Sequence, residues 1–459
     1  MSDRTEISLN NFFIYNHSLS SKEGEEKNKI LFYYPLSSSL DEQLKNVGFS
    51  EAILRFSQTF NPDKPCETIS TKKTRQFYLQ PEEDFWMVMT VNLPKIKSKE
   101  MADEYEYLEH DVQDAVYLAI LKLAYNMAKL FIGTFSASLE ENNPKPLRIK
   151  LEKFFVRYLA TLKLQNCDVT DIFQGVQYLS LDPLRFLHVQ SLSNLLEAEF
   201  PQIESSVILY EKYLIWSGLD YSDMQLINQY VKTLRVASNL ESEAESGSKT
   251  SASTNICRFL TGPKNFLEED PSFLDSIPII HIYATNPPKR YYLNVYQAIN
   301  FIVCILIDET ESLTLELLKK LDKFLGDKLI RLNSKIKTAI PQVASLTLQA
   351  PMEKFLYFNK LNLAMKVTVG NKSSSVTPEE VMRVVTDIAV QNQSCCRHSS
   401  AAETVVKLMK LSDFWIVGKM SDARECYFIM QAKNASLSFI YEEANKMCNM
   451  SLKSIFVHK

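Results

Sequence analysis

The sequence predicts an α+β protein of three tandem domains, each a roughly five-stranded antiparallel sheet flanked by helices. Three observations carry that expectation. A strand–strand–helix module is written three times along the chain. The 459 residues divide without strain at about 150 residues per domain. The tryptophans fall one per third, at Trp86, Trp216 and Trp415, each inside a strand-like run, as expected of anchors for three separate cores.

The clearest copy of the module spans Ser205 to Leu234. Two apolar-rich runs, Val207–Tyr210 and Tyr213–Trp216, flank the charged pair Glu211-Lys212, which reads as a tight hairpin. Met224, Ile227, Val231 and Leu234 then recur at the helical period. An earlier copy runs through Phe12–Asn16, Lys29–Pro35 and a helical stretch from Asp41 to Phe60. A later copy runs through Glu353–Val369 and a helix from Thr377 to Val390. That helix opens on Thr-Pro-Glu-Glu: a capping box, proline at the first helical position and acids at the positive end of the dipole.

The first domain is expected over residues 1–165. Cys66–Gln80 and Asp84–Leu93 read as further strands, and helices near Tyr107–Phe131 and Leu147–Leu164 each carry one apolar stripe. The second is expected over 166–345, opening on a strand at Asp171–Asp182 and a helix at Pro183–Phe200. Residues 240–255 have no large apolar group after Leu240 and read as a disordered insertion. Strands resume at Ile277–Thr285 and Tyr291–Asp308, followed by a helix from Thr310 to about Ile336. The third is expected over 346–459, with strand-like runs at Val405–Lys410, Asp413–Met420, Glu425–Lys433 and Ala435–Ile440 and a helix near Tyr441–Met450. Two strands, a helix, three strands and closing helices fit a longin or roadblock-like domain.

Composition narrows the function. Hydrophobic content of 46% and charged content of 23% describe a well-cored protein, and a net charge of -4 offers no footprint for wholesale nucleic-acid binding. No secretion signal is read at the N-terminus. The longest apolar run, Ala298–Ile307, is too short to span a bilayer of ~30 Å and reads as a buried strand. The chain is therefore expected to be cytoplasmic, its glycosylation sequons meaningless and its eight scattered cysteines reduced. Only 10 glycines occur and no two lie within three residues of each other, so phosphate-cradling loops are excluded. No cofactor is expected.

Isolated motifs carry little chemistry. His110-Asp111 with Asp114 suggests a metal, but the same residues simply suit the start of a helix. Cys395-Cys396 with His398 lacks a fourth ligand at usable spacing. No G-x-S-x-G or H-E-x-x-H occurs, so no catalytic residue and no metal site are assigned. The basic run Lys72, Lys73 and Arg75 reads as a solvated hairpin loop or as a contact for an acidic partner or anionic lipid headgroups. Gly48, inside the first helix, is either a tolerated break costing about 1 kcal/mol or a missing Cβ where another helix comes close.

A run of ordered blocks resembles one family. They are Lys29–Pro35, Phe85–Met89, Lys129–Phe135, Leu151–Leu159, Cys167–Gly175, Leu214–Leu219 with Asp223-Met224, Arg258–Pro263 and Phe414–Glu425. In this order they resemble the calcium–caffeine–zinc sensitivity (Ccz) vacuolar-fusion proteins over essentially the whole chain. Two features depart from the family: the chain starts only a few residues before its first strand, and the Gln393–Ala402 loop is rich in Ser and Cys where relatives tend to be acidic.

The resemblance implies three tandem longin domains and pairing with the monensin-sensitivity (Mon) protein, another triple-longin chain. Together they would act as a guanine nucleotide exchange factor for the late-endosomal Rab GTPase, in endosome maturation, vacuole or lysosome fusion and autophagy. Animal complexes would add a third scaffold subunit, and the complex would sit peripherally on anionic late-endosomal or lysosomal membranes. Such a subunit is no enzyme in the covalent sense. The alternative is a scaffold or tether that binds GTP-loaded Rab without exchanging nucleotide. Within the first domain, Leu44, Val47, Gly48 and Glu51 on the Asp41–Phe60 helix are the expected partner or Rab contacts, by inference from the helix rather than from a family motif.

Overall fold

The computed structural model describes residues 4–20, 22, 24–62, 65–97, 105–139, 143–245, 257–263, 271–285, 287–337, 354–368, 379–395, 401–408 and 414–451. They form two compact units, residues 1–172 and 173–459.

In the first unit, strands β1 (Ser8–Asn16) and β2 (Ile30–Tyr34) precede helix α1 (Leu40–Phe60). Strands β3 (Thr68–Ser70), β4 (Thr74–Glu82) and β5 (Phe85–Asn92) follow, and the sheet order is β2-β1-β5-β4-β3. A side hairpin pairs β6 (Lys95–Lys97) with β7 (Tyr105–Tyr107). Helices α2 (Asp114–Ile132), α3 (Phe135–Ser138) and α4 (Lys145–Thr161) complete the unit. The helix expected from Tyr107 starts only at Asp114, because the polar Glu109–Asp111 turn intervenes.

The sheet is apolar on both faces, and the period-2 alternation of the strands sorts its side chains between two cores. Phe12, Ile14, Met87, Met89 and Val91 face α2 and α4, joining Ile120, Leu121, Leu151 and Phe155. Phe13, Tyr15, Trp86 and Val88 face α1, joining Val47 and Leu54. α2 is long and apolar enough to cross a membrane, yet it sends Val116, Tyr117, Ile120, Leu121 and Ala124 into this core. The Glu82 carboxylate closes the unit's far end, accepting the Tyr125 hydroxyl and the Phe135 and Ser136 amides at 2.6–2.9 Å.

A short helix α5 (Val169–Phe173) precedes the second unit's α6 (Pro183–Glu199), β8 (Ile203–Tyr210), β9 (Tyr213–Ser217) and α7 (Tyr221–Glu245). Strands β10 (Cys257–Phe259), β11 (Ile279–Ile282), β12 (Lys289–Ala298) and β13 (Phe301–Asp308) and helix α8 (Leu315–Lys337) follow. The main sheet order is β10-β12-β13-β8-β9, with β11 also paired to β12. α6 and α8 share one core with Ile208, Phe301, Val303 and Ile305. α7 covers the other face, burying Met224, Ile227 and Val231, with Tyr230 beside Cys304 of β13.

The same unit carries a third sheet. β14 (Lys354–Asn359), β15 (Ala364–Val367), α9 (Glu379–Cys395), β16 (Ala401–Leu408), β17 (Phe414–Ser421), β18 (Arg424–Gln431) and α10 (Leu437–Ser451) build it, in the order β15-β14-β18-β17-β16. α10 packs Ile440, Ala444 and Met447 on one face with Trp415, Val417 and Phe428. α9 lies on the other, so close that a Cβ on Gly418 would stand 2.7 Å from Ile388.

Several expectations need correction. Ala298–Ile307 is a hairpin rather than one strand, turning at Ile299 (φ 54°) and Asn300 between β12 and β13. Ala435–Ile440 is largely the first turn of α10, not a strand. α7 continues helical to Glu245, through the first residues of the expected 240–255 insertion; residues 246–255 lie outside the described set, as does the Thr377-Pro378 cap. Asp171–Asp182 is no regular strand: α5 ends at Phe173 and a backbone staple follows. Val176 donates to Leu363 and accepts from Met365, both 2.8 Å, along the edge strand β15. Leu179 donates to Leu214 at 2.9 Å and Gln177 accepts from it at 2.8 Å, along the edge strand β9. One extended segment thus caps two open sheet edges whose unpaired backbone groups would otherwise be exposed. Phe173, packed on Phe358 and Tyr427, anchors its start.

Candidate interaction surfaces

α1 begins on a built cap. Ser39 accepts from the Glu42 amide, and Asp41 and Glu42 occupy the first turn. Val47, Ser50 and Leu54, spaced i, i+3, i+7, form the face turned to the sheet. Nearly opposite, a second stripe faces outward: Phe49, Phe56 and Phe60 are 47%, 63% and 75% exposed. Phe56 and Phe60 meet edge to face with centroids 5.0 Å apart. Leu36 and Leu40 are also exposed near the helix start, Leu40 on the Val47 side of the helix rather than on the phenylalanine stripe. A helix apolar on both sides, with only one side covered, is the form expected of an element that packs against a second partner.

The four residues expected at this contact divide. Val47 is 3% exposed inside the core, and Leu44 packs against the same cluster, so neither presents its side chain outward. Glu51 is engaged within the chain, 2.9 Å from Lys29 Nζ and 2.6 Å from Arg55. Gly48 is exposed, and a Cβ there would meet nothing within 4 Å in this chain. The phenylalanine stripe was missed. Its signal was legible: aromatic residues at i, i+7 and i+11 that do not coincide with the Val47–Leu54 face.

The basic run divides likewise. Lys72 and Lys73 stand exposed at the β3–β4 turn, which Thr71 closes by bonding Thr74. Arg75 turns inward, donating to Asp114 at 2.9 Å and to the Val112 carbonyl at 2.8 Å. It ties β4 to the start of α2 and is not presented to a partner. Asp111 pairs with Arg4 and Asp114 with Arg75, so the carboxylates near His110 are occupied. Cys395 is exposed at the end of α9; Cys396 and His398 lie outside the described residues. Among the described residues, no group of three metal-ligating side chains occurs.

A further surface lies on the second sheet's helical layer. α8 carries seven Lys or Arg against three Asp or Glu, and Lys319, Lys320, Lys323, Arg331 and Lys337 are exposed on its outer side. α6 runs antiparallel beside it: Arg185 Nε donates to the Lys335 carbonyl at 3.0 Å, and Phe200 meets Phe324 at 5.5 Å. The outer side of α6 is mostly apolar and uncharged, presenting Leu184, Leu187, Ser191, Asn194 and Leu195, with Glu199 exposed at its end. A cationic ridge and an apolar ridge therefore share one layer. Nothing in the sequence reading had singled out this pair of helices.

Three sheets of the same order pattern, each sandwiched between helices, define a triple-longin protein. Comparison with known proteins agrees domain by domain. Residues 9–133 match the pattern described as the first longin domain of INTU, CCZ1 and HPS4, residues 203–326 match Intu longin-like domain 2, and residues 349–447 match Intu longin-like domain 3. The chain is 40% identical over 464 residues to the vacuolar fusion protein CCZ1 homolog of Xenopus tropicalis, covering 98% of this chain and 97% of that one. It is 37% identical to the homolog of Nematostella vectensis (99% and 98% covered) and 28% identical to that of Dictyostelium discoideum (98% of each). The chain belongs to the CCZ1 family of vacuolar fusion proteins, as the sequence blocks had implied.

Proposed function

We propose that this chain acts in membrane trafficking, at the fusion of vacuolar or late-endosomal compartments, as one subunit of a guanine nucleotide exchange complex for the late-endosomal Rab GTPase. The observation that carries the reading is the bare phenylalanine stripe of α1, placed on the first longin domain of a family member. It is the docking face for the longin domain of a Mon-type triple-longin partner. In animals a scaffold subunit joins the pair.

The mechanism requires no covalent chemistry. A GTPase that holds nucleotide at nanomolar affinity must be relieved of ~12 kcal/mol. A surface that binds the nucleotide-free form best supplies this, and linkage makes the weakening reciprocal. The α1 face, completed by the partner's domain, draws the GTPase switch segments away from phosphate and magnesium. A glycine-poor chain with a large shaped surface suits this work better than it suits holding a nucleotide. Binding of the complex to nucleotide-free Rab is expected to exceed binding to GTP-loaded Rab by about 100-fold, near the top of the usual coupling range. The opposite preference, measured by pull-down against defined nucleotide states, would identify a tether instead.

The α8–α6 layer is the membrane-facing surface in this reading. Lysines near an anionic bilayer contribute about 1 kcal/mol each, and neighbouring exposed leucines add apolar insertion. Changing Lys319, Lys320 and Lys323 together to Gln is expected to weaken binding to phosphatidylserine vesicles by roughly 100-fold. Wild-type binding should also fall steeply as salt rises. Vesicle co-sedimentation checks both; binding unchanged by the triple substitution would place the membrane contact elsewhere.

A further inference from the structure

The third sheet holds two cysteines that trafficking does not call for. Cys426 lies on β18 and Cys448 on α10, and both belong to the core that α10 closes over the sheet. Cys426 is buried and Cys448 half-buried, and the Cys426 thiol lies within hydrogen-bonding reach of the Cys448 sulfur. A single cation serves both. Lys419 on β17 is the direct cross-strand partner of Cys426, so their side chains leave the sheet on the same face. Its ammonium reaches Asn445 Oδ1 at 2.6 Å and lies 4.1 Å from the centre of the Tyr441 ring. Asn445 stands three residues before Cys448 and Tyr441 seven, on the helix face that Cys448 shares. Register and helical spacing thus bring Lys419 beside the cysteine pair from both elements.

The electrostatics separate their roles. The hydrogen bond from Cys426 and the nearby Lys419 charge lower the Cys448 thiol below its ordinary value, against the opposing effects of partial burial and of Glu403 on β16. Burial pushes the Cys426 thiol up and keeps it protonated. A half-buried thiol whose ionisation is favoured, with a resolving thiol behind it, is the arrangement of a redox-responsive cysteine, and disulfides in a reducing compartment are usually of this transient kind.

We propose that Cys448 and Cys426 form a reversible dithiol switch, oxidised by hydrogen peroxide to a disulfide that ties α10 to β18. The Cys448 thiolate attacks one peroxide oxygen; the O–O bond breaks, hydroxide leaves and takes up a proton as water, and Cys448 becomes a sulfenic acid. The Cys426 sulfur, giving up its proton, then attacks the Cys448 sulfur. The S–O bond breaks, the second oxygen leaves as water, and the S–S bond forms. Two thiols have lost two electrons to one peroxide. A cellular dithiol restores the pair by exchange.

The test is non-reducing peptide mapping of the full chain after graded hydrogen peroxide. The expected product is a Cys426–Cys448 linked peptide that dithiothreitol reverses and that Cys448→Ser abolishes. Lys419→Gln should slow its formation at neutral pH about threefold to tenfold and move the rate profile to higher pH, while Lys419→Arg should retain the rate. Wild-type mapping is decisive even where a variant folds poorly. Both cysteines remaining reduced, Cys448 overoxidised while Cys426 stays free, or either one linked only to another cysteine would each overturn the proposal.

Discussion

A Phe56→Glu, Phe60→Glu double variant is expected to fold normally and to lose its longin partner by at least about 100-fold. The two rings contribute little to this chain's own core, being 63% and 75% exposed, so their replacement should leave thermal stability nearly unchanged. At an interface the same rings would be central aromatic anchors, each worth 2 kcal/mol or more by truncation, and introduced carboxylates would be buried without partners. Pull-down of the partner with a parallel melting curve separates the two effects. Val47→Glu, on the opposite face, should instead unfold the domain. Gly48→Leu sharpens the same point: the site is open in the chain alone, so the variant should fold and fail only where a second helix approaches closely. Full partner binding by the double variant would move the interface off α1.

The second large effect is expected at Gly175. A Cβ there would stand 2.4 Å from Met365 Cβ, an atom fixed by the backbone of β15 and unable to swing aside. Gly175 adjoins Val176, whose amide and carbonyl staple the segment to β15. Gly175→Val must push the staple off that edge, costing about 3 kcal/mol and opening the Val176 and Met365 amides to exchange. Gly175→Ala should fall between this variant and the wild type. Denaturant unfolding and hydrogen exchange measure both, and an unchanged stability would show that the staple is not needed for the second unit.

Much of the architecture was readable because the strands are buried on two sides and carry nearly continuous apolar runs. Phe12–Tyr15 and Phe85–Val91 could hardly be anything else. Reading failed where short-range pattern and long-range partner disagree. Leu437 and Phe439 alternate like strand residues, yet both are exposed, and Ile440, Ala444 and Met447 bury at helical spacing instead. The Asp171–Asp182 stretch was half understood: it does pair through its backbone, but with residues near 214 and 364 that no local window reveals. On α1 the helix was clear and its contact face was not. Two apolar stripes compete there, and only the sheet decides which is covered. Lys72, Lys73 and Arg75 looked alike as a run, but Asp114, far along the chain, draws Arg75 inward.

In the proposed function this chain contributes half of a non-covalent exchange site and needs a second longin chain to complete it. Release of a fluorescent guanine nucleotide from the late-endosomal Rab tests it directly. The isolated chain should leave the release rate at its intrinsic value, and the chain joined to its Mon-type partner should raise it by orders of magnitude. Full acceleration by the isolated chain, or none by the joined pair, would contradict the account.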